Sequence, residues 1–255
     1  MSNIVGIIQA RTDSTRLPNK VLEEIEGKPV ILHVIERTQH ASLLNGIVLA
    51  TTTRAVDTPL ADLVRAHGIP VFRGDCDDVL DRYYQAATRF HAEVIVRITG
   101  DCPLIDPHII DLVIQMFLQH HYDYVTNTLQ PTYPDGLDVE AFSYKALTKA
   151  WKEATLPSER EHVTVYIRKH PEKFKQHDVK NPIDLSSYRW TVDNQEDLEF
   201  VREIYKRLYS KEKIFYMEDI LTLLKEHPEL KKLNAGIQRN EGYLRSLKHD
   251  KKVKR

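Results

Sequence analysis

Three cations, Arg11, Arg16 and Lys20, fall within ten residues in the run Gln9-Ala10-Arg11-Thr12-Asp13-Ser14-Thr15-Arg16-Leu17-Pro18-Asn19-Lys20. Arginine forks grip phosphate oxygens in pairs, and a lysine supplies a mobile point charge. The hydroxyl residues between them add donors. A triphosphate, with about four negative charges, calls for several such cations plus a metal. The spacing matches neither GxxxxGK[ST] nor GxGxxG. The alternative is a solvated loop whose cations pair with Asp13, Glu23 and Glu24. Two acids extend the pattern: Asp101 follows Ile95-Val96-Arg97-Ile98-Thr99-Gly100, and Asp193 follows Arg189-Trp190-Thr191-Val192. Each alone could cap a turn or a helix. Opposite a cationic loop, the pair suits Mg²⁺, which takes one or two carboxylates and leaves its other positions to water and phosphate.

Such residues need a frame that gathers them. Short apolar runs at 4–10, 46–52, 69–72, 93–98 and 123–126 read as strands, separated by helix-period segments at 30–40, 57–67, 78–90 and 107–120. In the first of these, Val30, Ile31, Val34 and Ile35 share one face. Asp57 and Asp78 open the next two with the acids a helix N-terminus favours, and Asp106 is a candidate N-cap. Strands alternating with helices predict a doubly wound α/β fold, a mostly parallel sheet with helices on both faces. Ligands of such sheets bind beyond the carboxyl ends of the strands, where the cationic loop and both acids fall. Two prolines and a glycine in 129–136 mark an excursion, so an inserted lobe is expected over about 129–182. It would hold strands at 137–142 and 174–179 and helices at 145–154 and 159–169. A strand at 188–192 and helices at 198–209 and 214–226 complete one domain over 1–245.

Composition narrows the function. Hydrophobic residues at 42% can build a real core, and a net charge of −1 argues against a general polyanion binder, so no nucleic-acid partner is expected. No apolar run approaches the roughly twenty residues of a membrane span. The N-terminus reads as a first strand and not a signal peptide, and Cys76 and Cys102 give no disulfide framework, which together predict a cytoplasmic protein. Twelve histidines lack zinc-ligand spacing. The basic tail at 246–255 is expected to be a solvated end.

The motifs together resemble the cytidylyltransferases that make CMP-activated acidic sugars, the CMP-acylneuraminate and CMP-KDO synthetases, and within them the spore coat polysaccharide biosynthesis protein F branch. The likeness rests on Ala10-Arg11-x-x-Ser14-x-Arg16-Leu17-Pro18-x-Lys20, on the segment Arg97 to Asp106, and on Asp77-Asp78-Val79-Leu80-Asp81-Arg82-Tyr83. It continues through Gly136 to Phe142, Glu159 to Thr164, Asp193 to Leu198, and Asn240-Glu241-Gly242-Tyr243. The resemblance implies a Mg²⁺-dependent transfer of CMP from CTP to a small sugar-acid acceptor, in surface polysaccharide or glycoconjugate biosynthesis, by a homodimer. It implies that Arg11, Arg16 and Lys20 hold the CTP phosphates and that Asp101 and Asp193 bind the metal; Ala10, Ser14, Thr99 and Asp101, and Arg73 near the end of a strand, are the further nucleotide-binding candidates. Arg11, Lys20, Asp101 and Asp193 would be catalytic, and Asp138, Glu140, Arg160 and His162 would meet the acceptor. Asn19 stands where the family carries Gly, and Asn tolerates a left-handed backbone. Cys102 and Asn194-Gln195 also depart from the CMP-KDO pattern and point away from KDO itself.

Other readings compete. Asp75, Asp77, Asp78 and Asp81 could attract a metal, but a helix N-terminus wants such acids anyway. Arg73 and Arg82 could touch base or acceptor, or simply be solvated charges. Cys102 reads as a small buried thiol. A glycosyltransferase using a nucleotide sugar would carry a DxD motif, of which Asp75-Cys76-Asp77 is the one instance. Nucleotidyl transfer to a phosphorylated non-sugar acceptor would need a second basic cluster, and a non-catalytic sensor would bind CTP without turnover.

Overall fold

The computed structural model describes residues 2–237, 239, 243, 246, 247 and 250. In chain order the elements are β1 (Ile4–Gln9), β2 (Glu24–Ile25), β3 (Lys28–Pro29), α1 (Val30–Gln39), β4 (Gly46–Thr52), α2 (Thr58–Ala66), β5 (Val71–Gly74), α3 (Val79–Arg89), β6 (Val94–Thr99) and α4 (Pro107–His120). There follow β7 (Tyr124–Thr126), β8 (Glu140–Ser143), α5 (Tyr144–Glu153), α6 (Pro157–Glu161), α7 (Val165–Lys169), β9 (Gln176–Asp178), α8 (Gln195–Leu208) and α9 (Met217–Glu226). The main sheet has seven strands in the order β5-β4-β1-β6-β8-β7-β9. β1 runs parallel to both β4 and β6, with Gln9 beside Thr99 at its end. β8 is antiparallel to both of its neighbours. The sheet is the mostly parallel, helix-covered α/β sheet that the sequence predicts.

The apolar runs make the central strands because both faces of this sheet are covered. Along β1, Ile4 and Ile8 join the core under α1, α4, α8 and α9, while Val5 and Ile7 face the core under α3, α5 and α7. That alternation is the two-residue period of a strand. Side-chain caps set helix starts: Asp78 accepts from the Asp81 N–H, and Asp106 from the His108 N–H.

Within 129–182, β8 and β9 both enter the main sheet, where Glu140, Ala141 and Phe142 are buried. Three expectations change. The helix expected over 159–169 is two short helices. Between them Val163 takes a left-handed φ of 52°, costly for a β-branched residue and sustained here by complete burial. The strand expected at 188–192 is an extended segment joined by one bridge, Asp135 with Arg189, because its charges are used elsewhere. At the C-terminus, Ser246 and Asp250 are buried and not solvated: Asp250 accepts from the Ser158 N–H at 2.9 Å. The rest of the expected tail, and Asn240 to Gly242 of the last motif, lie outside the described residues. No described helix is long and apolar enough to cross a membrane.

Candidate active site

The carboxyl ends of β1, β4, β5 and β6 open on one side of the sheet, and a cleft of about 880 Å³ lies against the loops that leave β1, β5 and β6. The loop after β1 forms one wall. Its shape is fixed by Asp57, fully buried, which accepts from the Thr12 N–H at 2.7 Å and the Thr12 hydroxyl at 2.8 Å, and also from the Thr52 hydroxyl. Asn19 adopts the left-handed conformation (φ 60°) and its N–H returns to the Thr12 carbonyl at 2.9 Å. The loop thereby turns back and delivers Lys20 to the ends of the central strands.

Asp101 reaches the same place through Gly100. A Cβ at Gly100 would stand 2.7 Å from the Ala10 Cβ and 3.0 Å from the Gln9 carbonyl oxygen, so only glycine lets the turn after β6 close on the loop after β1. Asp193 arrives from the segment before α8, tied to Asp101 by the Val192 N–H on the Asp101 carbonyl at 2.8 Å.

These side chains converge. Lys20 Nζ lies 2.6 Å from Asp101 Oδ2 and 2.7 Å from Asp193 Oδ1, and Arg16 Nη2 lies 2.8 Å from Asp193 Oδ1. Burial alone would lower the Lys20 pKa, but the two carboxylates overcome it and raise the pKa above its ordinary value, so the ammonium stays charged. Burial likewise opposes the charge on Asp193, and Lys20, Arg16 and Arg189 outweigh it, holding the carboxyl at about 2.

Arg189 escaped the sequence reading. It is buried, with Nη2 2.9 Å from Asp193 Oδ2, Nη1 2.8 Å from Asp135 Oδ2 and Nε 2.9 Å from Asp197 Oδ1. Asp197 also accepts from the Asp193 and Asn194 N–H groups, and Asn234 donates to it at 3.0 Å. This network fixes the orientation of Asp193. The signal available in the sequence was a lone arginine inside an apolar run, four and eight residues before two aspartates.

Of the other nucleotide candidates, Ala10, Arg11, Ser14 and Thr99 line the cleft. Arg73 does not belong with them. Its guanidinium donates to the Thr52 and Arg54 carbonyls, each at 2.8 Å, and holds the ends of β4 and β5 together. Among the acceptor candidates, Arg160 and His162 line the cleft while Asp138 and Glu140 are drawn elsewhere. Glu140 is buried on β8, paired with Arg97 and accepting from the Tyr124 hydroxyl at 2.8 Å. Asp138 pairs with Arg239 at 2.5 Å, and burial lifts its carboxyl to about 7. Arg160 is held by Asp78 and by the Trp151 carbonyl at 2.7 Å. Burial lowers His162 to about 4, leaving it neutral at pH 7, and its Nε2 lies 2.8 Å from the Ser246 hydroxyl, which donates to Glu161 at 2.5 Å. Ser246 therefore belongs to this wall, a residue assigned from sequence to the tail.

The DxD segment does the work of a cap: Asp75 Oδ1 accepts from the Asp77 and Asp78 N–H groups at 2.8 Å each. Cys102 is buried and its thiol pKa is pushed up by desolvation. Among the described residues no cluster of three or more His, Cys, Asp or Glu forms a metal cage. Asp101 and Asp193 are instead two carboxylates whose oxygens already meet on one cation, the Lys20 ammonium.

Comparison with known proteins points to one family. The cytidylyltransferase family profile matches residues 5–220. The spore coat polysaccharide biosynthesis protein SpsF of Bacillus subtilis is 31% identical over 242 residues, covering 90% of this chain and 97% of SpsF. The 3-deoxy-manno-octulosonate cytidylyltransferase of Geobacter sulfurreducens is 43% identical over 111 residues, 43% of either chain. A solved cytidylyltransferase from Leptospira borgpetersenii superposes with a TM-score of 0.87 at 34% identity, over 94% of this chain and all of that one. With a family match over most of its length and a cationic loop closed on paired strand-end acids, the chain belongs to the cytidylyltransferase family.

Proposed function

We propose that this cytidylyltransferase moves CMP from CTP to a sugar-acid-like acceptor and releases pyrophosphate, using Mg²⁺, in the assembly of a surface polysaccharide or glycoconjugate. The observation that carries the reading is the meeting of Arg16 and Lys20 with Asp101 and Asp193 at the ends of the central strands. The similarity to SpsF supports the polysaccharide setting. A homodimer through 129–182 is part of the same reading, and a cytoplasmic location suits the two free thiols.

In the proposed reaction an acceptor hydroxyl oxygen bonds to the α-phosphorus, the bond from that phosphorus to the β-bridging oxygen breaks with its electron pair going to the departing pyrophosphate, and the hydroxyl proton passes to water. Catalysis is placement and charge neutralisation. Arg11, Arg16 and Lys20 grip the β- and γ-phosphates and offset the charge that grows on the leaving pyrophosphate. Asp101 and Asp193 would hold Mg²⁺, whose chemistry is to polarise the α-phosphate. Arg189, through Asp135 and Asp197, keeps Asp193 aimed into the cleft. The acceptor lies toward Arg160 and His162, with Arg160 as the cation for its carboxylate and neutral His162 as a partner for a hydroxyl. Glu161 lines that end and Asp78 borders it on Arg160, acids that oppose a phosphorylated acceptor.

A pyrophosphate-release screen over the four nucleotides, with Mg²⁺ and a panel of keto sugar acids, tests the proposal. Release with CTP that depends on both acceptor and Mg²⁺ is expected. Turnover of a nucleotide sugar without pyrophosphate would move the protein to the glycosyltransferase reading.

A further inference from the structure

Arg82 carries a charge that the protein itself does not satisfy. It sits on α3, is 2% exposed, and lines the floor of the cleft, so it is not the solvated charge its sequence position allows. Nη1 donates to the Asp75 carbonyl at 2.9 Å, whereas Nε is buried without a partner, and among the described residues no carboxylate pairs with the guanidinium. Desolvation lowers its pKa below the ordinary arginine value, and nearby Arg11 adds to the effect. Other arginines here are provided for: buried Arg37 by two backbone carbonyls, half-buried Arg97 by Glu140, and buried Arg189 by three aspartates. A buried cation short of acceptors is costly, and native folds rarely leave one without a purpose. The sequence also makes room for it. A Cβ at Gly74 would stand 2.9 Å from the Phe72 ring and 3.0 Å from Arg82 Cγ, so glycine there lets the arginine stem lie against the end of β5.

A ligand in the cleft can supply the missing acceptors. Asp75, Asp77 and Asp78 share this wall and repel a triphosphate, whose cations stand on the loop after β1. The uncharged part of the nucleotide is the base. Cytosine presents O2 and N3 as adjacent acceptors, which match two N–H groups of a guanidinium, while uracil carries a donor N–H at position 3. We infer that Arg82 reads the base, donating to O2 and N3 of cytosine and so rejecting uracil. The inference rests on the proposed CTP site.

Calorimetric titration of the full chain with CTP and UTP, in Mg²⁺ and without acceptor, reads it directly. Wild-type protein is expected to prefer CTP. Arg82→Met should weaken CTP roughly tenfold to a hundredfold and leave UTP within about threefold, so that the preference collapses. Because a core variant can fail to fold, wild-type protein is also titrated with 3-deazacytidine triphosphate, in which a C–H replaces N3, and binding about tenfold weaker than CTP is expected. Equal losses for CTP and UTP in a folded Arg82→Met would mark a phosphate contact and overturn the inference. So would an unchanged CTP preference in that variant, or undiminished affinity for the deaza analogue. Wild-type protein that binds neither nucleotide would instead overturn the CTP site itself.

Discussion

Lys20→Met removes the charge at the centre of the site while keeping a side chain of similar length. Asp193 is held at about 2 against an ordinary 3.8, after Lys20, Arg16 and Arg189 have overcome the cost of burial. That gap is worth roughly 2.5 kcal/mol at neutral pH. Lys20 leads the favourable contributions, and it also neutralises Asp101, so its loss should cost about 2 kcal/mol. For a chain of this size that corresponds to a fall of roughly 4–8 °C in Tm. The pH sign follows from a depressed carboxyl: the stability is present above 3.8 and lost as pH falls toward 2. The difference between wild type and variant is therefore full at pH 7 and closes in acid. Thermal melts in EDTA measure it, and repeating them with rising Mg²⁺ adds a second reading. Two carboxylates freed of their ammonium should gain more from a divalent cation than the wild-type pair does, while pyrophosphate release stays lost. A variant that melts with wild type in EDTA, or that responds equally to Mg²⁺, would refute the shared-cation arrangement.

Asp57→Ala leaves the Thr12 N–H and two hydroxyls without their acceptor, so a loss of about 3 kcal/mol in urea denaturation is expected. CTP affinity should fall at least about tenfold, and unchanged affinity would mean the loop holds its own shape. His33 and His162 are both lowered to about 4 by burial. A histidine with a depressed folded pKa stabilises fully above its ordinary 6.5 and loses that contribution as pH falls toward 4, because the unfolded chain takes up the proton more readily. The unfolding free energy from urea titration should drop over that window, by up to about 3 kcal/mol for each histidine. His162→Gln should flatten part of the drop; an unaltered slope would place the loss elsewhere.

The cationic loop, Asp101 and Asp193 were legible because their chemistry is concentrated at strand ends, and a doubly wound sheet gathers strand ends on one side. The parallel core was legible from continuous apolar runs. Pairing partners were not. The pattern at 137–142 says strand, but nothing local says that β8 will lie antiparallel between β6 and β7, and that placement buries Glu140 on Arg97 and withdraws it from the acceptor. Arg73 is similar: a place near a strand end suggests a ligand contact, while the surrounding carbonyls decide what the guanidinium does there. At Val163 local preference favours one helix, and only the tertiary fold imposes the left-handed turn. Arg189 was hidden because an apolar run reads as a strand, whereas three aspartates distant or nearby in sequence make its burial tolerable.

The balance of charge around Asp193 bears on how ligands enter. Lys20, Arg16 and Arg189 already pair with Asp101, Asp193, Asp135 and Asp197, so the cluster is close to neutral before any ligand binds. On the proposed function, a triphosphate arriving alone would draw Arg16 and Lys20 away and leave two half-buried acids facing each other. A divalent cation alone would have to displace an ammonium hydrogen-bonded at 2.6 and 2.7 Å. Arriving together, the two would exchange partners: the phosphates would take the cations, and the acids would keep a positive charge between them. Binding energy is then largely a coupling between the ligands, reciprocal by thermodynamic necessity. Arg189 is what makes the exchange possible, because its three carboxylate contacts keep Asp193 in place when Lys20 leaves it.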